Sequence, residues 1–235
     1  MRRTLATTAL CLTAAAALTA CNPFAGASGD GGDLATKAIK ANRAATSFTV
    51  KGNVSDPKEG DIAVDLAIDH RGDCKGTIGL GDQGSMGLIK TGKTVYMSYD
   101  EKLLRAQSKG EAKKDTDAAV KMLVGNWVKS TSSDPDVKDL ASMCDIDELL
   151  GTFDPTDTAA DKGKDTTVDG RKAATLTEKD GKETYTMYVA TEGTPYLLKL
   201  DVAGGDQPTT LAFSGFDKPV GAKAPAKKDI VDLGN

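Results

Sequence analysis

An α+β fold, with a curled antiparallel β-sheet carrying helices over its concave face, is what this 235-residue sequence predicts. Three observations lead there. Two runs of short alternating segments, punctuated by Gly, Asp and Pro turns, occupy residues 48–99 and 166–216. A stretch of helical periodicity separates them. The connections inside each run are too short for parallel crossovers, so the strands form antiparallel meanders, and a sheet of about ten strands must curl.

The chain opens with Arg2 and Arg3, followed from Leu5 to Leu18 by residues that are apolar or small and carry no charge. This run has the length of a secretory signal and is too short to span a bilayer. It ends in Leu18-Thr19-Ala20-Cys21, the form of a bacterial lipobox. A small residue fits the peptidase before the cut, and the thiol after it accepts diacylglycerol. A signal peptide over 1–20 is therefore expected, with lipid on Cys21 holding the protein to the extracytoplasmic face of the cell membrane. The competing reading, an ordinary signal peptide with a chance cysteine, needs charge, length and all four box positions to coincide.

Losing Arg2 and Arg3 takes the 30 basic residues to 28 against 34 acidic ones, a net charge of −6. That balance disfavours nucleic acid and a polybasic membrane-surface site. Residues 21–32 include a Gly-, Ala- and Ser-rich stretch and read as a flexible tether, and 33–235 as a single domain, expected to be a monomer. Of the four cysteines, Cys11 leaves with the signal peptide and Cys21 takes lipid. Cys74 and Cys144 remain, an even pair in an oxidising compartment, and are expected to form a disulfide. Two separate buried thiols are the alternative.

Asp33 reads as an N-cap, with Leu34, Ala38, Ala41 and Ala45 along one side of the helix that follows. Phe48, Val50 and Val54 alternate with polar positions. Ile62, Val64, Leu66 and Ile68 alternate with Asp61, Ala63, Asp65, Ala67 and Asp69, the cleanest period-2 segment of the chain. Cys74–Leu80, Ser85–Lys90 and Thr94–Tyr99 complete a five-strand meander. Helices are predicted from Asp100 to Gln107 and from Asp115 to Val124, and another after Asp134-Pro135. In that last helix Val137, Leu140, Ala141 and Cys144 fall at i, i+3, i+4 and i+7, which places Cys144 on the face toward the sheet and toward Cys74. Thr152 to Asp165 reads as an exposed loop. Strands follow at Thr166–Val168, Arg171–Thr177, Glu183–Ala190, Tyr196–Val202 and Thr209–Phe216, and the Lys-rich tail is expected along the domain edge.

The lipobox, Gly125-Asn126-Trp127-Val128-Lys129, Asp169-Gly170-Arg171, Met187-Tyr188-Val189-Ala190 with Pro195-Tyr196, and Phe213-Ser214-Gly215-Phe216 ahead of Pro219-Val220 together resemble the LolA/LppX superfamily. More specifically, they resemble its actinobacterial LppX/LprG-type lipoproteins. The resemblance spans nearly the whole mature chain and rests on no single specific motif. It implies a half-barrel with helices over its mouth, enclosing an apolar cavity for acyl chains, and a carrier without enzymatic activity. On that basis the ligand cavity is expected among Ile62, Val64, Leu66, Ile68, Val95, Met97, Met187, Leu198 and Leu200.

Catalysis is not expected. His70 is the only histidine, so Ser-His-Asp, Cys-His and histidine-rich zinc constellations cannot be assembled. Asp134, Asp136 and Asp139 could suggest calcium, but the adjoining Pro135 and helix favour N-terminal capping. Gly79-Leu80-Gly81 lacks the Lys-Ser or Lys-Thr of a phosphate loop. No metal or cofactor is expected. Two functions remain: a carrier holding a lipid or other amphiphile in an apolar cavity, and a surface module with a packed core that binds a protein or glycan partner.

Overall fold

The computed structural model describes residues 31–57, 60–151 and 160–231. The signal peptide, Cys21 and most of the tether lie outside the described residues, as do 152–159 of the expected loop. Twelve strands form one sheet. The first run gives β1 (Ser47–Asp56), β2 (Gly60–Asp69), β3 (Cys74–Leu80), β4 (Ser85–Thr91), β5 (Thr94–Tyr99) and β6 (Trp127–Thr131). The second gives β7 (Asp161–Val168), β8 (Arg171–Asp180), β9 (Glu183–Ala190), β10 (Leu197–Ala203) and β11 (Thr209–Ser214), and the tail adds β12 (Ile230–Val231). Helices α1 (Gly31–Ala44), α2 (Glu101–Gln107), α3 (Lys113–Leu123), α4 (Lys138–Ser142) and α5 (Ile146–Gly151) complete the elements discussed below.

The strand order is β12-β6-β5-β4-β3-β2-β1-β11-β10-β9-β8-β7. Each run is a meander, and the two are joined where β1 pairs antiparallel with β11, from Thr49 opposite Ser214 to Val54 opposite Thr209. Every pairing is antiparallel except β12 with β6. The sheet stays open, with β12 and β7 at its edges. Inward side chains of both halves, including Phe48, Val50, Leu66, Ile68, Leu176, Val189, Leu200 and Phe213, form one core with α1, α4 and α5.

The curled sheet with helices is as expected, and four details differ. First, the sheet has twelve strands where about ten were expected. The additions are β6, which carries only two apolar residues, and the two-residue β12. Second, residues 161–165 belong to β7, where a loop was expected. All but the last residue of β7 are exposed, so no apolar alternation betrays it; its backbone pairing with β8 alone makes it a strand. A polar, bulged strand also suits an unpaired edge.

Third, the expected helix after Asp134 is two short ones. Asp145 accepts from the N–H groups of Asp147 and Glu148 and so starts a new helix, α5. Cys144 sits in the turn between the two, still facing the sheet as its stripe required, and is bonded to Cys74 with their Cα atoms 5.5 Å apart. This link closes a loop with a sequence separation of 70, for which chain entropy gives roughly 4 kcal/mol. Fourth, α1 begins at Gly31, before the expected Asp33 cap, and its buried side includes Ala35, Ile39 and Asn42; of the expected Leu34, Ala38, Ala41 and Ala45, Ala38 and Ala45 are buried and Leu34 and Ala41 partly so. Gly31 enables the early start, because a Cβ there would lie 2.1 Å from the carbonyl oxygen of Ala160.

Candidate ligand site

The register defines two ends of the sheet. At one, the closed end, β1 begins at Ser47 opposite Asp69, β3 begins at Cys74, and the disulfide holds α4 and α5 down. At the other lie the turns after β1, β3, β8 and β10. Burial is graded between them. Along β2, Ile68 and Leu66 are 0% and 1% exposed, whereas Val64 and Ile62 are only partly buried. Leu80, Met86, Tyr99 and Leu123 are likewise partly buried against the same core. Apolar side chains of the concave face are thus fully buried toward the closed end and only partly buried toward the other, open end.

Eight of the nine predicted cavity residues lie on this face. Leu66, Ile68, Val95, Met97, Met187 and Leu200 belong to its buried core, and Ile62 and Val64 to its partly exposed margin. Leu198 does not. It belongs to a separate cluster on the opposite face with Ala173 and Ala190, against Val168, Tyr188, Tyr196 and Phe216. A bulge between Leu197 and Lys199 is the reason: Leu197 pairs with Val189 and Lys199 with Tyr188, so one residue is inserted and the alternation reverses. Leu197 takes the inward place.

The bulge is held by Asn42, which is fully buried on α1. Its Oδ1 accepts from the Leu197 N–H at 2.9 Å, and its Nδ2 donates to the Leu197 carbonyl at 3.1 Å. The only sequence signal for this contact was a polar residue interrupting the small-residue stripe of α1.

Gly52 and Gly76 mark close approaches between neighbouring strands. A Cβ on Gly52 would sit 1.8 Å from the Thr210 carbonyl oxygen, and one on Gly76 would sit 1.9 Å from that of Asp65. Only a residue without a Cβ lets neighbouring strands approach so closely.

Polar groups at the open end include those of the β8–β9 hairpin. The Tyr185 hydroxyl donates to the Glu183 carboxylate. That bond, with partial burial and the charges of Asp180 and Glu178, pushes the phenol pKa up to about 12. Burial, reinforced by Asp180, also raises the Glu178 carboxyl. In the other half of the sheet, at the same end, Asp100 caps α2. Its Oδ1 accepts from Leu103 N–H at 2.7 Å, and its Oδ2 accepts from the Ser85 N–H and hydroxyl at 2.8 Å each.

His70 stands exposed in the β2–β3 turn, where its backbone N–H donates to the Thr46 carbonyl. Asp134 accepts from the Ser130 hydroxyl and the Asp136 N–H, a local turn-capping role. Sequence reasoning missed a hollow of about 400 Å³ at the closed end, beside Leu198. Tyr196 and Phe216 stack in it with centroids 3.9 Å apart, and the Arg171 guanidinium lies 5.9 Å from both. Asp217 anchors it, accepting from the Tyr196 hydroxyl at 2.7 Å and from Thr46.

No protein-family model and no curated protein matches the sequence. Solved structures do match. LprF from Mycobacterium bovis superposes with a TM-score of 0.58 at 12% identity, over 83% of this chain and 96% of that one. The Mycobacterium tuberculosis lipoprotein LppX superposes with a TM-score of 0.52 at 13% identity, over 82% and 97% respectively. The open curled sheet, with its helices on the concave side, is therefore the fold seen in LprF and LppX.

Proposed function

We propose that this protein is a lipoprotein, anchored outside the cytoplasmic membrane through lipid on Cys21, that holds the acyl part of a lipid or other amphiphile against its concave face. One observation carries the reading: apolar side chains continue from a dry core at Leu66 and Ile68 to a partly exposed mouth at Ile62, Val64, Leu80 and Met86. Acyl chains need apolar walls and no directed hydrogen bonds, and an apolar concavity is the usual form of such sites. The lipobox gives the anchor, and the fold shared with a lipoprotein agrees with it. No step of this function is catalytic.

Native mass spectrometry of the membrane-extracted protein tests both halves. The expected spectrum shows an acylated Cys21 and a co-purifying lipid lost on activation. An unmodified cysteine would remove the anchor, and a protein without bound lipid would remove the cargo. The second reading, a packed module for a protein or glycan partner, has the Tyr196–Phe216 hollow in its favour, since a half-buried aromatic stack beside an arginine suits such contacts.

A further inference from the structure

Among the described residues, Met122 and Val124 are the exposed large hydrophobics, at 45% and 41%. They sit together where α3 ends, flanking Leu123, which packs into the core beside the mouth. Trp127 then enters β6 at the open end of the sheet. The molecule thus presents its bare apolar side chains at the mouth.

The charge there is opposite to that of the whole chain. From Glu101 to Val124 there are six basic and four acidic residues, against a net negative balance overall. Arg105 bridges Glu101 and Asp117, and Lys113 also reaches Asp117. Lys109, Lys114 and Lys121 are exposed and have no acidic partner among the described residues. An apolar tip with Lys121 beside it, at the end of a segment of net positive charge, matches the interface of an anionic bilayer, where the side chains enter the acyl boundary and the ammonium groups meet the surface potential.

The chain's own connectivity points the same way. Gly31 packs against Ala160 and Lys162, where β7 begins, and α1 then runs to the closed end, where Asn42 meets Leu197. Cys21 is ten residues before Gly31, so its sulfur lies within about 35 Å of the open end at full extension. The anchor therefore leaves from the end that carries the mouth.

We infer that the open end docks on the anionic bilayer that holds the Cys21 lipid, through the Met122–Val124 tip and the lysines of α2–α3, so that the concave face opens toward the membrane. This rests on the lipoprotein reading. The β8–β9 hairpin at the same end sets Glu178, Asp180 and Glu183 against Lys179 and Lys182 and so lacks the basic excess of the α2–α3 segment, which places contact on the α3 side.

Trp127, the only tryptophan and three residues beyond Val124, is the reporter. The mature lipoprotein is reconstituted into phosphatidylglycerol–phosphatidylcholine vesicles bearing a spin label on the headgroup. Trp127 fluorescence is expected to be quenched, and less so at high salt. Met122→Asp with Val124→Asp should reduce the docked fraction about tenfold or more, the factor for losing roughly one buried apolar side chain. Both residues are exposed, so the thermal transition should stay in place. Lys114→Glu with Lys121→Glu should weaken docking on these vesicles and leave it unchanged on phosphatidylcholine alone. Unquenched Trp127 in the parent protein, or equal quenching in the Met122→Asp, Val124→Asp variant, would overturn the inference. Native mass spectrometry of the same samples reads the cargo separately. Bound lipid without quenching removes the docking alone; quenching without bound lipid removes the cargo alone.

Discussion

Asp100 shows how one side chain joins two elements. Its carboxylate satisfies the first turn of α2 through Leu103 and pins the start of β4 through Ser85. Partial burial pushes its pKa up, but the bonds from Leu103 and from the hydroxyl and N–H of Ser85 outweigh burial and hold it below the ordinary aspartate value. A depressed folded-state pKa means stability that is complete above the unfolded pKa and lost as pH falls through the folded one. Asp100→Ala should cost about 1–2 kcal/mol at neutral pH, from the lost cap and the unpaired Ser85 N–H. Denaturant melts checked across the acid range should show the parent and variant converging below pH 4. A constant difference down to the lowest pH would mean that the contact is not a carboxylate bond.

Among the elements, the β9–β10 pairing decides which side chains can line a cavity. One inserted residue sends Leu198 to the convex face and brings Leu197 into the core. Asn42 takes both backbone groups of Leu197 and so couples α1 to the bulge. Its loss leaves a buried N–H and a buried carbonyl short of a partner, each costly. Asn42→Ala should destabilise the protein by about 2–3 kcal/mol, read from urea midpoints at constant slope. Asn42→Asp should recover only part, because a carboxylate can accept from the Leu197 N–H but cannot donate to its carbonyl. Full stability in Asn42→Ala would show that water replaces the amide.

At the scale of the molecule, the question is whether the graded concave face is a void or a filled core, and bulk added at chosen depths separates the two. Val64→Trp should lower binding of a fluorescent fatty acid several-fold while leaving the melting temperature nearly unchanged, since an open mouth accepts the ring. In a packed core the same change overpacks, at about 1–3 kcal/mol. Leu198→Trp, on the other face, should leave binding intact. Marked destabilisation by Val64→Trp, in a parent protein that binds no lipid, would replace the carrier with the packed partner-binding module.

The sequence by itself determined the fold class, the five-strand meander, the inward face of β2 and the Cys74–Cys144 pair, because these depend on local alternation, turn chemistry and cysteine parity. It also gave eight of the nine residues placed on the concave face. What it could not show was set by contacts distant in the chain. β7 is a strand only because β8 offers it a ladder, and its polar residues carry no period of their own. The side occupied by Leu198 follows from a bulge fixed by Asn42, 155 residues away. The Tyr196–Phe216 stack and the Asp217 contacts bring together three turns that no spacing rule connects. Periodicity reports which residues share a face of one element; only tertiary packing decides where that alternation slips and which end of the face is left open.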